Sequence, residues 1–185
     1  MNGGGINVQN SGICIIGGGT MVIRSNTPIF YSGSNQHGTE IDSLLTGNGT
    51  IQYWNYGAAA FETTYSEGLN VTGTSNTFTG TWLVQEGTLL GSGLNALGTN
   101  TITVFTNAAL ETTYNINNPN GSLIVNNGGR VYLHQNDTFG SVKINTNYLA
   151  PGTYTYTQLH AAYTSYFPAS WTELNGCLLY TSRCV

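Results

Sequence analysis

The sequence predicts an all-β chain whose backbone winds in coils stacked on one another, a β-solenoid. Two observations lead there. Short β-prone runs punctuated by Gly, Asn and Thr fill residues 76–125, and none is long or amphipathic enough for a substantial helix. The runs also recur. Thr81-Trp82-Leu83-Val84, Thr101-Ile102-Thr103-Val104 and Ser122-Leu123-Ile124-Val125 begin 20 and 21 residues apart, and Ser141-Val142-Lys143-Ile144 follows after 19 more. A second series keeps step between them: Thr88-Leu89-Leu90, Ala109-Leu110-Glu111 and Arg130-Val131-Tyr132-Leu133. Two strand series in step at about 20 residues per cycle mark a repeat architecture. One coil alone loses more conformational entropy on ordering than its few inward side chains recover, so each coil needs neighbours.

Taken in order, Gly12-Ile13-Cys14-Ile15-Ile16 and Gly19-Thr20-Met21-Val22-Ile23 read as two strands around a glycine turn. Residues 27–48 are less regular. Turns are marked at Thr27-Pro28 and His37-Gly38, and Glu40–Leu45 reads as a short strand or a helical turn. Gly49-Thr50-Ile51-Gln52-Tyr53-Trp54 resumes the Gly-Thr-strand pattern, 30 residues after Thr20 and 31 before Thr81. Those intervals imply an inserted loop or coils of another type. Residues 56–75 hold Tyr56, Ala58-Ala59-Ala60, Phe61 and the strand-like Leu69-Asn70-Val71-Thr72. The most regular coils span 76–145. Asn107, Asn117, Asn118, Asn126, Asn127, Asn136 and Asn145 punctuate them, and Asn suits tight corners because it tolerates left-handed backbone and bonds locally. Such residues can also stack as ladders between coils. Near the C-terminus, Gly152–Thr157 reads as a strand with Thr and Tyr on opposite faces, and Thr157–Tyr163 as a short helix. Phe167, Trp171 and Leu174 are placed to pack against the last coil.

The stretch Asn76-Thr77-Phe78-Thr79-Gly80, with Gly87-Thr88-Leu89, Ala96-Leu97-Gly98, Thr101-Ile102-Thr103-Val104 and Ala109-Leu110, resembles the autotransporter-associated β-strand repeat. That family belongs to passenger regions of large bacterial surface and secreted proteins. The resemblance covers about 35 residues of the 185 in order. It implies a right-handed parallel β-helix, an extracellular or outer-membrane setting and no catalytic residues, since the motif is structural. The string Gly152-Thr153-Tyr154-Thr155 with Gln158-Leu159 resembles the segment that closes such repeats.

Composition bounds the rest. One domain is expected from 185 residues, and only four basic and eight acidic residues are present, for a net charge of −4. Low charge with 39% hydrophobic residues still permits a core. Arg24, Arg130, Lys143 and Arg183 are scattered, whereas nucleic-acid binding needs clustered cations to replace phosphate counterions. No run reaches the roughly 18 apolar residues of a membrane span. The opening residues lack a basic segment and a long apolar run, so they do not read as a signal peptide. That fits a cytoplasmic chain, or an extracellular one whose true beginning lies upstream and whose Met1 is an internal methionine; the other end of the sequence favours the second.

The last nine residues, CLLYTSRCV, break this texture. Back-translated, they resemble the mosaic end of a transposase sequencing adapter followed by the start of its inverted copy. On that reading 1–176 is a truncated solenoid fragment, 177–185 is a non-native tail, and the end is frayed or mispaired. Cys177 and Cys184 then carry no biological meaning, leaving Cys14 as a buried small hydrophobe in an apolar run.

Candidate chemistry is sparse. Glu40 and Asp42 would share a face of a strand, where close carboxylates can divide acid and base roles; a solvated edge is the plainer reading. His134 and Asp137 flank a turn, and His37 and His160 have no partners at metal-ligand spacing. Gly17-Gly18-Gly19 lacks the Asp of calcium-binding repeats, and no phosphate loop or nucleophile elbow is present. Tyr53, Trp54, Tyr56, Trp82, Tyr154 and Tyr156 are candidate sugar-stacking rings, although aromatics in strands more often fill cores. Thr-x-Thr pairs at 101/103 and 153/155 do not recur in sequence as an ice-binding array would need. The sequence therefore points to a stalk or adhesion-type passenger segment with no catalytic, cofactor-binding or metal residues. Its expected partners are surface glycans, a host or neighbouring cell surface, and coils of the parent chain. The alternatives are a pectin-lyase-like polysaccharide-degrading fragment and a carbohydrate-binding module.

Overall fold

The computed structural model describes residues 5–8, 13–24, 29–32, 38–55, 68–169 and 178–181. They form a β-solenoid of about five turns. The first coil contributes β1 (Gly5–Val8), β2 (Cys14–Ile16) and β3 (Thr20–Ile23). The second contributes β4 (Ile29–Ser32), β5 (Thr39–Ile41) and β6 (Leu44–Gly47), and the third β7 (Thr50–Asn55), β8 (Leu69–Val71) and β9 (Thr77–Phe78). From the fourth coil, β10 (Thr81–Val84) and β11 (Gly87–Gly91), a turn at 94–97 stands where the third strand stood. Next come β12 (Thr101–Val104), β13 (Ala108–Thr112), the long β14 (Asn117–Val125), β15 (Arg130–Leu133) and β16 (Asp137–Ile144). The chain ends with β17 (Asn147–Tyr148), β18 (Gly152–Thr155), α1 (Tyr156–Ala162) and β19 (Leu178–Thr181).

Corresponding strands of successive coils pair in parallel. The first sheet runs β1-β4-β7-β10-β12-β14-β16-β19-β18 with β17 on β16, the second β15-β13-β11-β8-β5-β2, and the third β3-β6-β9. The repeat read from sequence is the register itself: Thr81 pairs Thr101, Ile102 pairs Leu123, and Leu123 pairs Val142. Leu89, Leu110 and Val131 align likewise in the second sheet.

Two sequence expectations need correction. Thr20 pairs with Leu44 in the third sheet and is not the counterpart of Thr50, which belongs to the first sheet and pairs with Thr81. The irregular stretch 27–48 is a complete coil carrying β4, β5 and β6; Asp42 and Ser43 make the corner between two strands where a helical turn was one option. Its first-sheet strand β4 lacks the Gly-Thr lead-in, which hid the coil. The long spacing has one source. Thr39 to Leu69, Thr46 to Thr77 and Thr50 to Thr81 all step across the segment between Asn55 and Gly68, so one insertion accounts for all three. Tyr56, Ala58–Ala60 and Phe61 fall in that insertion, outside the described residues. His37, Trp171, Leu174, Cys177 and Cys184 lie outside them too.

Alternation on each strand decides which side chains fill the axis. Register stacks Ile51, Trp82, Ile102, Leu123 and Val142 in one buried file, and Tyr53, Val84, Val104, Val125 and Ile144 in the next. Trp82 donates its indole N–H to the Leu97 carbonyl at 3.0 Å and meets Phe78 edge-on, centroids 5.7 Å apart. Tyr53 and Trp82 are therefore core, not stacking platforms. Cys14 is only half-buried, because β2 ends the order of the second sheet and no described coil covers it.

Asparagine does two jobs. Asn107 and Asn145 sit in left-handed conformation at corners as expected, and Asn95 joins them. Asn76, Asn100 and Asn118 are instead buried, with Nδ2 groups that donate to the carbonyls of Ala96, Leu97 and Asn100 respectively.

At the distal end Thr155 caps α1. Its hydroxyl accepts from the Gln158 N–H at 3.2 Å while the Gln158 side chain accepts from the Thr155 N–H at 2.8 Å, a capping box. The Tyr166 carbonyl accepts the Val131 N–H on the edge of β15, and Phe167 is fully buried against Tyr156. Leu178–Thr181, expected to fray, pairs on both sides, parallel to β16 and antiparallel to β18.

The Gly-Thr lead-in to the first sheet has a steric cause. A Cβ on Gly80 would collide with the Gly49 carbonyl oxygen and the Phe78 ring, and one on Gly49 with the Arg24 carbonyl. Gly80→Ala is expected to cost roughly 1–3 kcal/mol, as overpacking does. Urea denaturation of the variant checks this; an unchanged midpoint would contradict the close-approach account.

Candidate functional site

The outer face of the second sheet carries most of the acidic candidates. Register aligns Ile15, Glu40, Asn70, Leu90, Glu111 and Tyr132 in one outward file. The residue just after each strand forms a second file beside it, holding Asp42, Thr72, Ser92 and His134. Polar contacts run within and between the two files, from one coil to the next. The Thr72 hydroxyl lies 3.4 Å from both Glu40 Oε1 and Asp42 Oδ1. Ser92 donates to Asn70 Oδ1 at 2.8 Å, and His134 Nε2 meets Glu111 Oε1 at 2.7 Å. Glu40 and Asp42 thus do converge, but around a hydroxyl of the next coil on the outer side of the second sheet. The groove beside the first coil, bordered by Ile16, Thr20, Met21, Arg24 and Ser43, includes neither. Sequence reasoning paired His134 with Asp137 and missed Glu111, which lies 23 residues from His134 and is adjacent only through the register.

Asp137 belongs to a different file, at the corner leading out of the second sheet. Asn76 Oδ1 accepts the Leu45 N–H of the preceding coil at 2.8 Å, and Asp137 Oδ1 accepts the Ile116 N–H of its preceding coil at 2.8 Å. The register Thr46–Thr77 and Asn117–Thr138 puts the two side chains at equivalent places, one residue before each pair. Between them Tyr114 accepts the Leu97 N–H at 3.0 Å, with burial pushing its phenol pKa upward. Asp137 is fully buried, and its second oxygen accepts from the Thr112 hydroxyl at 3.2 Å. Burial raises its carboxyl from 3.8 to about 7, against the opposing pull of the Ile116 N–H, the Thr112 hydroxyl and the nearby His134. Its role is to close a backbone donor, as Asn76 does. His160 likewise bonds within the cap, from Nδ1 to the Phe167 carbonyl. Among the described residues no three His, Cys, Asp or Glu side chains are grouped to hold a metal ion.

The outer face of the first sheet is chemically different. One outward file reads Thr50, Thr81, Thr101, Ser122 and Ser141; a hydroxyl thus recurs on five coils although the sequence pairs at 101/103 and 153/155 do not. The next file reads Gln52, Leu83, Thr103, Ile124 and Lys143. The third follows from the bonds Gln85 N–H to Tyr53, Phe105 N–H to Val84, Asn126 N–H to Val104 and Asn145 N–H to Val125. It reads Trp54, Gln85, Phe105, Asn126 and Asn145. Of the aromatic candidates, Tyr156 is buried with Tyr53 and Trp82, Tyr154 is half-buried, and Trp54 is 36% exposed. Phe105, absent from the sequence candidates, shares the Trp54 file.

No protein-family model matches the chain, and neither any curated protein nor any solved structure matches it.

The Asp137 assignment has a pH consequence. Its folded pKa lies above the unfolded value, so between about pH 4 and 7 the folded state holds a proton that the unfolded chain has released. Stability from this group is therefore complete below pH 4 and lost as pH rises toward 7. Asp137→Asn keeps an acceptor for Ile116 and is expected to remain folded and to flatten that slope, a difference on the order of a few kcal/mol across the window. Denaturation midpoints of both proteins from pH 4 to 8 check it; parallel curves would contradict it.

Proposed function

We propose that this chain is a structural segment of a bacterial secreted or cell-surface protein, a stalk or adhesion-type spacer that presents other parts of its parent and catalyses nothing itself. One observation carries the reading: the polar and titratable side chains with chemical potential are used in coil-to-coil bonds. Glu40 and Asp42 meet Thr72, Glu111 meets His134, and Asp137 closes the Ile116 N–H. A hydrolase or lyase groove needs carboxylates and a base aimed at a substrate cleft, and these groups face the neighbouring coil.

The surface setting is supported by the likeness of Asn76–Gly80, Gly87–Leu89, Ala96–Gly98 and Thr101–Val104 to autotransporter-associated repeats. The stacked parallel sheets suit that likeness. In the structure the Thr77-Phe78 strand ends the third sheet, Ala96-Leu97-Gly98 makes the turn that replaces it, and Gly98 holds a positive φ of 73°. The motif residues thus have steric jobs in coil closure, which is what a structural repeat requires.

The test is a panel of soluble polysaccharides incubated with the chain. No bond cleavage is expected, by reducing-end release or by unsaturated-product absorbance. Turnover that disappears in Glu40→Ala or Asp42→Ala would overturn the reading in favour of an enzyme.

A further inference from the structure

We infer that the outer face of the first sheet binds a neutral glycan chain lying along the solenoid axis, with Trp54 and Phe105 as its stacking platforms. Trp54 and Phe105 stand in one outward file with Gln85 between them. Two inter-strand steps separate their backbones, about 9–10 Å at the usual spacing of paired strands. An extended chain of pyranose rings can rest one ring on each and span Gln85. Aromatic faces suit sugars because a pyranose presents axial C–H groups to the ring while its hydroxyls point outward.

The side chains around the two rings complete the fit. Gln85 and Asn126 follow in the same file, each half-buried and able both to donate and to accept. Gln52 and Thr103 stand in the adjoining file, and the Thr50–Thr81–Thr101–Ser122–Ser141 file borders it with hydroxyls. Parallel strands hold all of these at fixed intervals, so little ordering cost falls on the protein when ligand binds.

Charge selects among possible occupants. Across the three outward files from Thr50 to Asn145, Lys143 is the one ionised side chain, and it lies 5.5 Å from the Tyr148 ring at the edge of the face. A nucleic acid or an acidic polysaccharide requires several cations to replace its counterions. A neutral polyol requires rings and uncharged hydrogen-bonding groups, and those line this face. The face also lies on a different sheet from the Glu40, Asp42 and Glu111 files.

The inference does not rest on the stalk reading; a spacer that binds no sugar would fail this test alone. Affinity electrophoresis of the chain through gels carrying a soluble neutral β-glucan, galactomannan or xylan, and through one carrying polygalacturonate, measures it directly. Retardation by at least one neutral glycan is expected, weakened about tenfold or more by Trp54→Ala and by Phe105→Ala, with no retardation by polygalacturonate. A parallel measurement avoids reliance on truncation variants. In a chain carrying Trp171→Phe, acrylamide quenching of tryptophan emission is expected to fall when the retarding glycan is added, since Trp82 is already buried. Absence of retardation by every neutral glycan, retardation by the acidic gel alone, or equal retardation of the folded variants would each overturn the assignment.

Discussion

Everything in this molecule depends on parallel backbone pairing between one coil and the next at equivalent positions. Once Thr81 pairs Thr101 and Leu89 pairs Leu110, each side chain acquires its counterpart on the neighbouring coil as its nearest contact, about 4.8 Å away. A residue choice is therefore tested against its own file, not only against its neighbours in sequence. Files of Ile, Val and Leu fill the axis, hydroxyls line one face, and glycines gather where a carbonyl of the preceding coil comes too close for a Cβ.

The same rule accounts for the scarcity of charge. Like charges on successive coils would face one another at strand spacing, with no freedom to move apart. The acidic residues that do occur are separated within their file: Glu40 and Glu111 have Asn70 and Leu90 between them. Asp137 escapes repulsion differently, by keeping a proton toward neutral pH at a corner where Asn76 does the equivalent work three coils earlier.

How much of this the sequence revealed follows from where its signals are local. The spacings of 20, 21 and 19 residues among Thr81, Thr101, Ser122 and Ser141 are the register, so the regular half of the stack was readable directly. The coil carrying β4 to β6 was hidden because its first-sheet strand, β4, lacks the Gly-Thr lead-in that marks β7 and β10. Contacts such as Glu111 with His134, or Trp54 and Phe105 sharing a file, were beyond reach for another reason. The first depends on which strands pair, and the second also on the insertion after Asn55, which shifts the count by about eleven residues relative to the regular coils. Asp137 looked like a turn residue because nothing in its own neighbourhood shows that it closes the N–H of Ile116.

The separate third sheet stops at β9, a turn at 94–97 closes the next coil, and beyond it paired strand returns on that side in the first halves of β14 and β16, where Asn117 pairs Thr138. Side chains bridge the break there: Asn76 donates to the Ala96 carbonyl, Tyr114 accepts the Leu97 N–H and Asn118 donates to the Asn100 carbonyl. Tension along the axis would thus pass that turn through side-chain links where the other two sides carry it through unbroken backbone ladders, making the turn the first place for the stack to part.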